Sequence, residues 1–399
     1  MSYAAAFANS SPSLITAAYP NLGPIASNND VFVNRSTSSF ASVLAADQLS
    51  HLVEGWRFLS SSVQSLLVNS QSQAIHYAYY AELRSAMSIY SGAGVEINNG
   101  KNFFLRPDGT KKRFSEDRTH DAVWKAWSAW ASDASTVSLI EDNIFPFPGV
   151  NLRDIQSQLA AVTPGASFSG WGLDLKPGAD HKARNKRSYR PFWGSEPFNQ
   201  MDSSDRDFIR DAWHLLLPNA GGALDFDMAF LRYWLKNAMK ELPDNSFSNR
   251  RTKYSAVLTF ISERTGLSKE AVLKIVQGTR QSFEIIAAAA DPSPTWRNML
   301  ARAVCMLRIA LVSVQYHIKS AGGCPSVVEW TERWFRHAGL WTRESGVSRT
   351  DYVADYENAV RDFTWGDPLP KGIWSSPARC AGSALIMRPD ACLVWAGPA

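Results

Sequence analysis

The chain has 399 residues, of which 45% are hydrophobic and 15 are tryptophan, so it can bury a sizeable core and is long enough for more than one domain. Its formal net charge of +4 is too small to imply nucleic acid by itself. No uninterrupted membrane span is visible, and the first residues lack the basic start and apolar run of a signal peptide. We therefore expect a soluble, cytoplasmic protein with no membrane partner.

The common sequence signatures of enzymes are missing. The chain has no glycine-rich phosphate loop, no nucleophile elbow, no His-Glu-x-x-His motif and no paired Cys-x-x-Cys. This argues against the commonest classes of NTPase, hydrolase and zinc protein, and we expect neither a bound metal nor a cofactor. Whether the protein is an enzyme stays open, because scattered residues can also assemble a site.

The first hundred residues predict an arm, a helical region and then hairpins. Residues 1–43 are rich in Ser, Ala and Asn, and we expect an extended arm. Residues 44–94 repeat apolar side chains at helical spacing and end on Gly92 and Gly94, which predicts one long helix or a helix hairpin. Residues 95–114 alternate short apolar runs with Asn-Gly and Pro-Asp-Gly turns, which predicts a small antiparallel sheet.

A tryptophan-rich helix is expected after the hairpins. It begins near Thr119 and places Trp124, Trp127 and Trp130 on one face. An aromatic stripe at this spacing is typical of a core helix. We expect this helix to complete a first unit of residues 44–145.

The rest of the chain is predicted as an irregular segment and a helical bundle. Residues 146–200 carry scattered Pro and Gly, so we expect an irregular, basic segment there. Residues 201–399 are expected to form a bundle with an irregular tail, in which Leu385–Met387 and Cys392–Trp395 could pair as short strands. The bundle helices are predicted at roughly 203–217, 225–241, 250–265, 268–289, 294–321, 325–340 and 350–363. The predicted fold class is mainly α, with helical bundles and a small antiparallel β-hairpin insertion.

One helix carries a family resemblance. Tyr79, Tyr80, Ala81, Arg84 and Ala86 form a Tyr-Tyr-Ala-x-x-Arg-x-Ala pattern that closes on Ser-x-x-Gly at residues 91–94. This pattern, over about fifty residues, resembles the second helix of HEPN-type helical domains. Those domains occur in prokaryotic toxins, nucleotidyltransferase partners and antiviral defence proteins. The resemblance implies a component of a prokaryotic antiviral defence or toxin-type system, with other defence-system proteins as partners and a homodimer as one assembly.

The same resemblance directs attention to one arginine–histidine pair. HEPN ribonucleases use an Arg-x(4–6)-His motif, in which the two side chains stabilise and relay charge while an RNA 2′-hydroxyl attacks the neighbouring phosphate. Arg113 and His120 match this spacing, with six residues between them. Phe114 follows the arginine where the family usually has a polar residue. A metal-independent ribonuclease using Arg113 and His120 is therefore an alternative function.

A second motif bears on a metal-dependent nuclease. Asp174-Leu175-Lys176 has the Asp-x-Lys ending of restriction-type nucleases, which use carboxylates and a lysine around a divalent cation. No upstream Pro-Asp on a strand precedes it, and Pro177-Gly178 interrupts the local structure at once. We therefore assign no metal ligands.

The densest basic run of the chain lies between His181 and Arg190. In a flexible, Pro-flanked loop, its cations and one tyrosine would suit phosphate contact and base stacking. The residues predicted to bind nucleic acid are Lys182, Arg184, Lys186, Arg187, Tyr189 and Arg190, with Lys111 and Lys112 from the hairpins. The leading prediction is a nucleic-acid-binding component, with RNA favoured over DNA. The remaining alternative is a non-enzymatic scaffold subunit that binds protein.

Overall fold

The computed structural model describes residues 37–106, 110–159, 178–189, 202–218, 224–242, 244, 246–278, 280–362 and 383–397. Two long helices, α1 (Thr37–Leu67) and α2 (Gln71–Gly92), begin the described chain. Asn69 takes the left-handed conformation (φ 60°) in the short link, which lets the chain reverse between them. The helical region predicted from residue 44 is thus a hairpin, and it starts inside the segment expected to be an extended arm.

A third helix, α12 (Trp296–Ser320), packs against this hairpin and forms the centre of the core. The Leu307 side chain of α12 packs on α1 at Gly55, where a Cβ atom would lie 2.8 Å from Leu307 Cδ2. The length and composition of α12 would also suit a membrane span. However, 89% of its most apolar 18-residue stretch is buried inside the protein. The buried core helix of a soluble protein can have the same length and composition, so α12 does not show membrane association.

The predicted hairpins form a three-stranded antiparallel sheet in the order β1 (Val95–Glu96), β2 (Asn102–Leu105), β3 (Lys111–Ser115). Val95 pairs with Phe104, and Leu105 pairs with Lys111. Asn99 and Gly100 have positive φ in the first turn, as the Asn-Gly signal predicts. The second turn, residues 107–109, lies outside the described part of the chain.

The tryptophan-rich helix is α3 (Thr119–Ser132), and it is followed by α4 (Ala134–Asn143) and α5 (Leu152–Ser157). Trp127 and Trp130 are buried, as the aromatic stripe predicts. The next described helix, α6 (Gly178–Tyr189), contains the basic run. The expectation of an irregular loop there is wrong, because one side of this helix packs on α2 and α12 through contacts that the local sequence does not reveal.

The bundle of the second half consists of helices that mostly match the predicted ranges. They are α7 (Ser203–His214), α8 (Asp225–Ala238), α9 (Phe247–Thr265), α10 (Lys269–Gln277), α11 (Arg280–Ala290), α12, α13 (Pro325–His337) and α14 (Arg349–Asp362). The helix expected over 268–289 is interrupted at Gly278, which has a positive φ of 49°. The mainly α class with a small β-hairpin insertion is confirmed.

The C-terminal segment is helical, so the expectation of strands is wrong. Short helices α15 (Ser383–Ile386) and α16 (Cys392–Ala396) flank a 3₁₀ turn at Pro389–Ala391. Short apolar runs do not distinguish strand from helix, and tertiary contacts decide here. Asp390 accepts a hydrogen bond from the Ser60 hydroxyl at 2.8 Å, and its own N–H donates to Ser60 Oγ at 3.1 Å, so this turn is fixed on α1.

Candidate functional site

The candidate site lies where α6 packs across α2, with α3 and α12 beside it. At its base is a buried ionic triad of Glu82 on α2, Asp180 on α6 and Arg302 on α12, all at most 1% exposed. Arg302 Nε and Nη2 each donate to an Asp180 carboxylate oxygen at 2.7 Å, which is a bidentate pair. Glu82 Oε1 lies farther away, 3.4 Å from Arg302 Nε.

The triad has two carboxyl groups for one guanidinium. Ionising both carboxyl groups would leave one buried negative charge uncompensated, which is unfavourable in free energy. Burial, and next the neighbouring Asp180, raise the pKa of Glu82 well above its usual value of 4.5. Burial also raises the pKa of Asp180 to about 6, against the opposing effect of Arg302. At neutral pH the consistent state is an ionised Asp180 paired with Arg302 and a protonated Glu82. The triad therefore anchors α6 and is closed to solvent.

A histidine–tyrosine cluster lies nearer the surface. Tyr79 accepts a hydrogen bond from Trp124 Nε1 at 3.1 Å, so its hydroxyl hydrogen can be donated to His120 Nδ1, 2.7 Å away. The His120 ring stacks on His181 with centroids 4.9 Å apart and planes 14° from parallel. His181 in turn stacks on Tyr79 at 5.7 Å, and its Nε2 accepts from the Asn185 amide at 3.1 Å.

Both histidines of this cluster are neutral at physiological pH. Partial burial, and next the nearby His181 and Arg184, together lower the pKa of His120 to about 4. Burial likewise lowers the pKa of His181. Burial raises the pKa of the Tyr79 hydroxyl. The cluster is therefore an uncharged hydrogen-bonding group at pH 7.

An aromatic patch adjoins this cluster on the α1–α2 hairpin. We define it as Phe58, His76, Tyr77 and Tyr80, all half-buried. Tyr80 lies 5.3 Å from the Phe58 ring and 5.0 Å from the His76 ring. Arg184 of α6 donates a hydrogen bond to the Tyr80 hydroxyl, and its guanidinium is 5.0 Å from the Tyr80 ring centroid. The patch and α6 are thus in direct contact.

The outer face of α6 carries lysines. Lys182 and Lys186 are exposed and stand four residues apart, on one side of the helix. Asp180 and Arg184 are buried on the other side. We call Lys182 and Lys186 the basic face of α6. The triad fixes which side of this amphipathic helix meets solvent.

The structure separates Arg113 from the surroundings of His120. Arg113 Nη2 donates to the Gly100 carbonyl at 2.5 Å, and Nη1 lies 3.2 Å from Glu116 Oε1, so its described contacts stay within the hairpin region. His120 instead contacts Tyr79 and His181. Among the described contacts, the two members of the predicted pair share no partner.

The other predicted nucleic-acid ligands have different surroundings from one another. Lys111 is 2.7 Å from Glu96 and lies over the Phe40 and Phe103 rings, while Lys112 is buried. Arg184 contacts the protein's own Tyr80. Arg187 and Tyr189 belong to α6 but their side chains lie outside the described part, as does all of Arg190. Lys182 and Lys186 are the members of the set that are described and exposed.

Several residues of this site were missed in the sequence. Glu82 lies in an otherwise apolar stripe of its helix. Because a buried carboxyl group needs a hydrogen-bonding or charged partner, its position could have indicated a buried polar contact. His76 and Tyr80 stand four residues apart, which places their rings together on α2. The pairing of His120 with His181 had no local signal, because it depends on how α3 and α6 dock.

Within the described part of the chain, no three His, Cys, Asp or Glu side chains are grouped so that they could hold a metal ion. Asp174 and Lys176, the residues of the Asp-x-Lys motif, lie outside that part. Comparisons with protein-family models, with curated proteins and with solved structures gave no match to this chain. The HEPN-like resemblance accordingly stays a prediction.

Proposed function

We propose that this protein binds single-stranded nucleic acid, RNA in preference to DNA, across the basic face of α6 and the aromatic patch. The observation that supports the proposal is the buried Asp180–Arg302 pair, which holds α6 with Lys182 and Lys186 outward and beside partly exposed rings. Cations that follow a phosphate backbone and rings that stack on bases are the two components of single-strand binding. In this proposal His76, Tyr77 and Tyr80 take the stacking role that was predicted for Tyr189.

The biological setting of the proposal is a prokaryotic antiviral defence or toxin-type system. This setting rests on the HEPN-like pattern of α2 alone, and so do the proposed partner proteins of the same system. A homodimeric assembly belongs to the same expectation, whereas the proposed cytoplasmic location rests on the N-terminal sequence and the hydropathy of the chain. If no nucleic acid binds, the alternative function is a non-enzymatic scaffold subunit that binds protein.

Metal-independent RNA cleavage is the second candidate, and His120 is the observation in its favour. Its neutral imidazole could accept a proton, with Tyr79 and His181 in contact. The best general base has a pKa near the working pH, however, whereas the pKa of His120 is lowered to about 4. Arg113 has its described contacts elsewhere. The geometry therefore favours binding over catalysis.

The test is fluorescence anisotropy with a labelled single-stranded 20-mer RNA of mixed sequence over a salt series. Lys182→Ala/Lys186→Ala should flatten the slope of log K against log salt by up to about 1.4, which is roughly 0.7 for each lost phosphate contact. The matched control is Lys236→Ala/Lys240→Ala, which removes two exposed lysines at the same spacing elsewhere. No binding at low salt, or an unchanged slope in the α6 variant, would overturn the proposal.

Cleavage is read from the same samples on a denaturing gel. A His120→Asn variant that keeps RNA binding but abolishes a cleavage seen in the wild type would establish the second candidate. Intact RNA with wild-type protein, together with binding that depends on Lys182 and Lys186, supports a binding protein.

A further inference from the structure

The helices α9 and α10 are joined by a tight three-residue turn. α9 ends at Thr265, and Gly266 follows in the left-handed conformation with φ 71°. No atom lies within 4 Å of where a Cβ on Gly266 would be, so this glycine is explained by its backbone angle alone. Ser268 then caps α10 by accepting a hydrogen bond from the Ala271 N–H. A helix, a short turn that contains glycine and a second helix follow one another in this order in a helix–turn–helix unit.

Both ends of α10 are held by the rest of the protein. At its start, Lys269 Nζ donates to Ser255 Oγ at 2.7 Å and to Thr259 Oγ1 at 2.9 Å, which ties α10 to α9. At its end, Arg232 of α8 donates from Nε to the Val276 carbonyl at 3.1 Å and from Nη2 to the Ile275 carbonyl at 2.7 Å. α10 is therefore a fixed element with a defined orientation.

The two sides of α10 differ in chemistry. Val272 and Val276 are buried, one helical turn apart. On the opposite side, Glu270, Lys274 and Gln277 are exposed at i, i+4 and i+7. We call these three residues the outer face of α10. All three are long polar side chains, and no contact that the structure describes requires this combination.

These residue types match the edges of DNA bases. In the major groove, Gln pairs with adenine, Lys pairs with the acceptors of guanine and Glu accepts from the cytosine amino group. An α-helix with its side chains is about 10–12 Å across, which fits a major groove about 12 Å wide, and the nine residues of α10 give about 13 Å of helix to lie in it. A helix–turn–helix presents its second helix to DNA in this way.

This unit carries a net positive charge. Residues 247–277 contain six basic and two acidic side chains, a net charge of +4. The basic residues are Arg250, Arg251, Lys253, Arg264, Lys269 and Lys274. Such a local excess complements a phosphate backbone, whereas an average surface would be mixed.

We propose that α9 and α10 form a helix–turn–helix that binds double-stranded DNA, with the outer face of α10 in the major groove. This contact is separate from the single-strand contact on α6, and it goes beyond that function. It gives the protein a sequence-reading element on a different part of the fold. Exposed Arg251 and Arg264 on α9 supply phosphate contacts beside the groove.

The experiment is a selection with the full chain from a pool of DNA duplexes that carry 16 random base pairs. Wild-type protein should enrich a short motif. Lys274→Ala/Gln277→Ala should bind the enriched duplex about ten-fold or more weakly, since base contacts are lost, while a scrambled duplex changes less. Both side chains are exposed, so an unchanged melting temperature is expected and confirms that the variant is folded.

A crossed design keeps the two proposals separate. Lys182→Ala/Lys186→Ala should leave duplex binding unchanged, and Lys274→Ala/Gln277→Ala should leave RNA binding unchanged. Failure of the first proposal therefore appears only with the RNA probe. The helix–turn–helix proposal is overturned if no motif is enriched, or if the α10 variant binds the enriched duplex as tightly as wild type. It is also overturned if the α10 variant loses a co-purifying protein while wild type binds no duplex.

Discussion

Helices α6 and α10 both turn a polar face to solvent, yet they are held in place by opposite means. The inner side of α6 is ionic, with Asp180 paired to Arg302 and Glu82 beside them. The inner side of α10 is apolar, and protein side chains bind its two ends. The exposed polar face of a helix therefore says little about how its inner side is held. The stability that an ionic anchor contributes depends on pH and on the presence of every charged partner. The stability that an apolar anchor contributes depends on the buried side-chain volume.

The largest expected effect comes from breaking the ionic anchor. Arg302→Met leaves Asp180 and Glu82 buried without a cation, so the free energy of unfolding at pH 7 should fall by about 3–5 kcal/mol. Urea unfolding followed by circular dichroism measures it. The control is Arg297→Met, because Arg297 pairs with Asp205 near the surface and should contribute about 1 kcal/mol or less. A loss at Arg302 no larger than at Arg297 would refute the ionic anchor.

Lost volume in the central core comes next. Leu83 on α2 and Leu307 on α12 are buried, and Leu307 fills the space over Gly55. Leu83→Ala and Leu307→Ala should each lower the free energy of unfolding by about 2–5 kcal/mol. Val272→Ala, on the buried side of α10, removes fewer atoms and should lower the free energy of unfolding by less. If both leucine variants lose under about 1 kcal/mol, the core is not centred on these helices.

The smallest effect is a pH dependence specific to the ionic anchor. The folded-state pKa of Glu82 is raised above 4.5, so folded protein keeps a proton that unfolded protein releases as pH rises. Wild type should therefore lose stability relative to Glu82→Gln between about pH 4.5 and pH 8. Urea midpoints at both pH values measure this difference. Glu329→Gln, at an exposed acid, should show no such trend; an equal trend there would remove Glu82 as the cause.

Much of the fold follows from local patterns in the sequence. The α1–α2 hairpin, the three strands and the bundle helices are marked by apolar spacing and by glycine turns, which act over a few residues. The break at Gly278 is different, because a Cβ there would lie 2.1 Å from the Arg232 guanidinium on α8. The end of α10 thus also contacts a residue more than forty positions away.

The candidate site depended still more on distant contacts. His120 lies in the candidate site, but its contacts come from α2 and α6, and Arg113 is not among its described partners. Lys182 and Lys186 are exposed as expected, while Arg184 is buried in the same run. A helix whose inner side is ionic shows no apolar stripe, so periodicity could not reveal α6.

The hydrogen bonds between Ser60 and Asp390 set the order in which the core can be completed. The two residues are 330 positions apart, so this contact is among the most non-local in the chain. The α1–α2 hairpin needs only a short link and can form from local sequence, whereas non-local contacts close slowly. During synthesis, the surface of α1 around Ser60 stays uncovered until Asp390 has been made. Completion of this part of the core therefore waits for a residue 330 positions later, even though α1 is the first described helix.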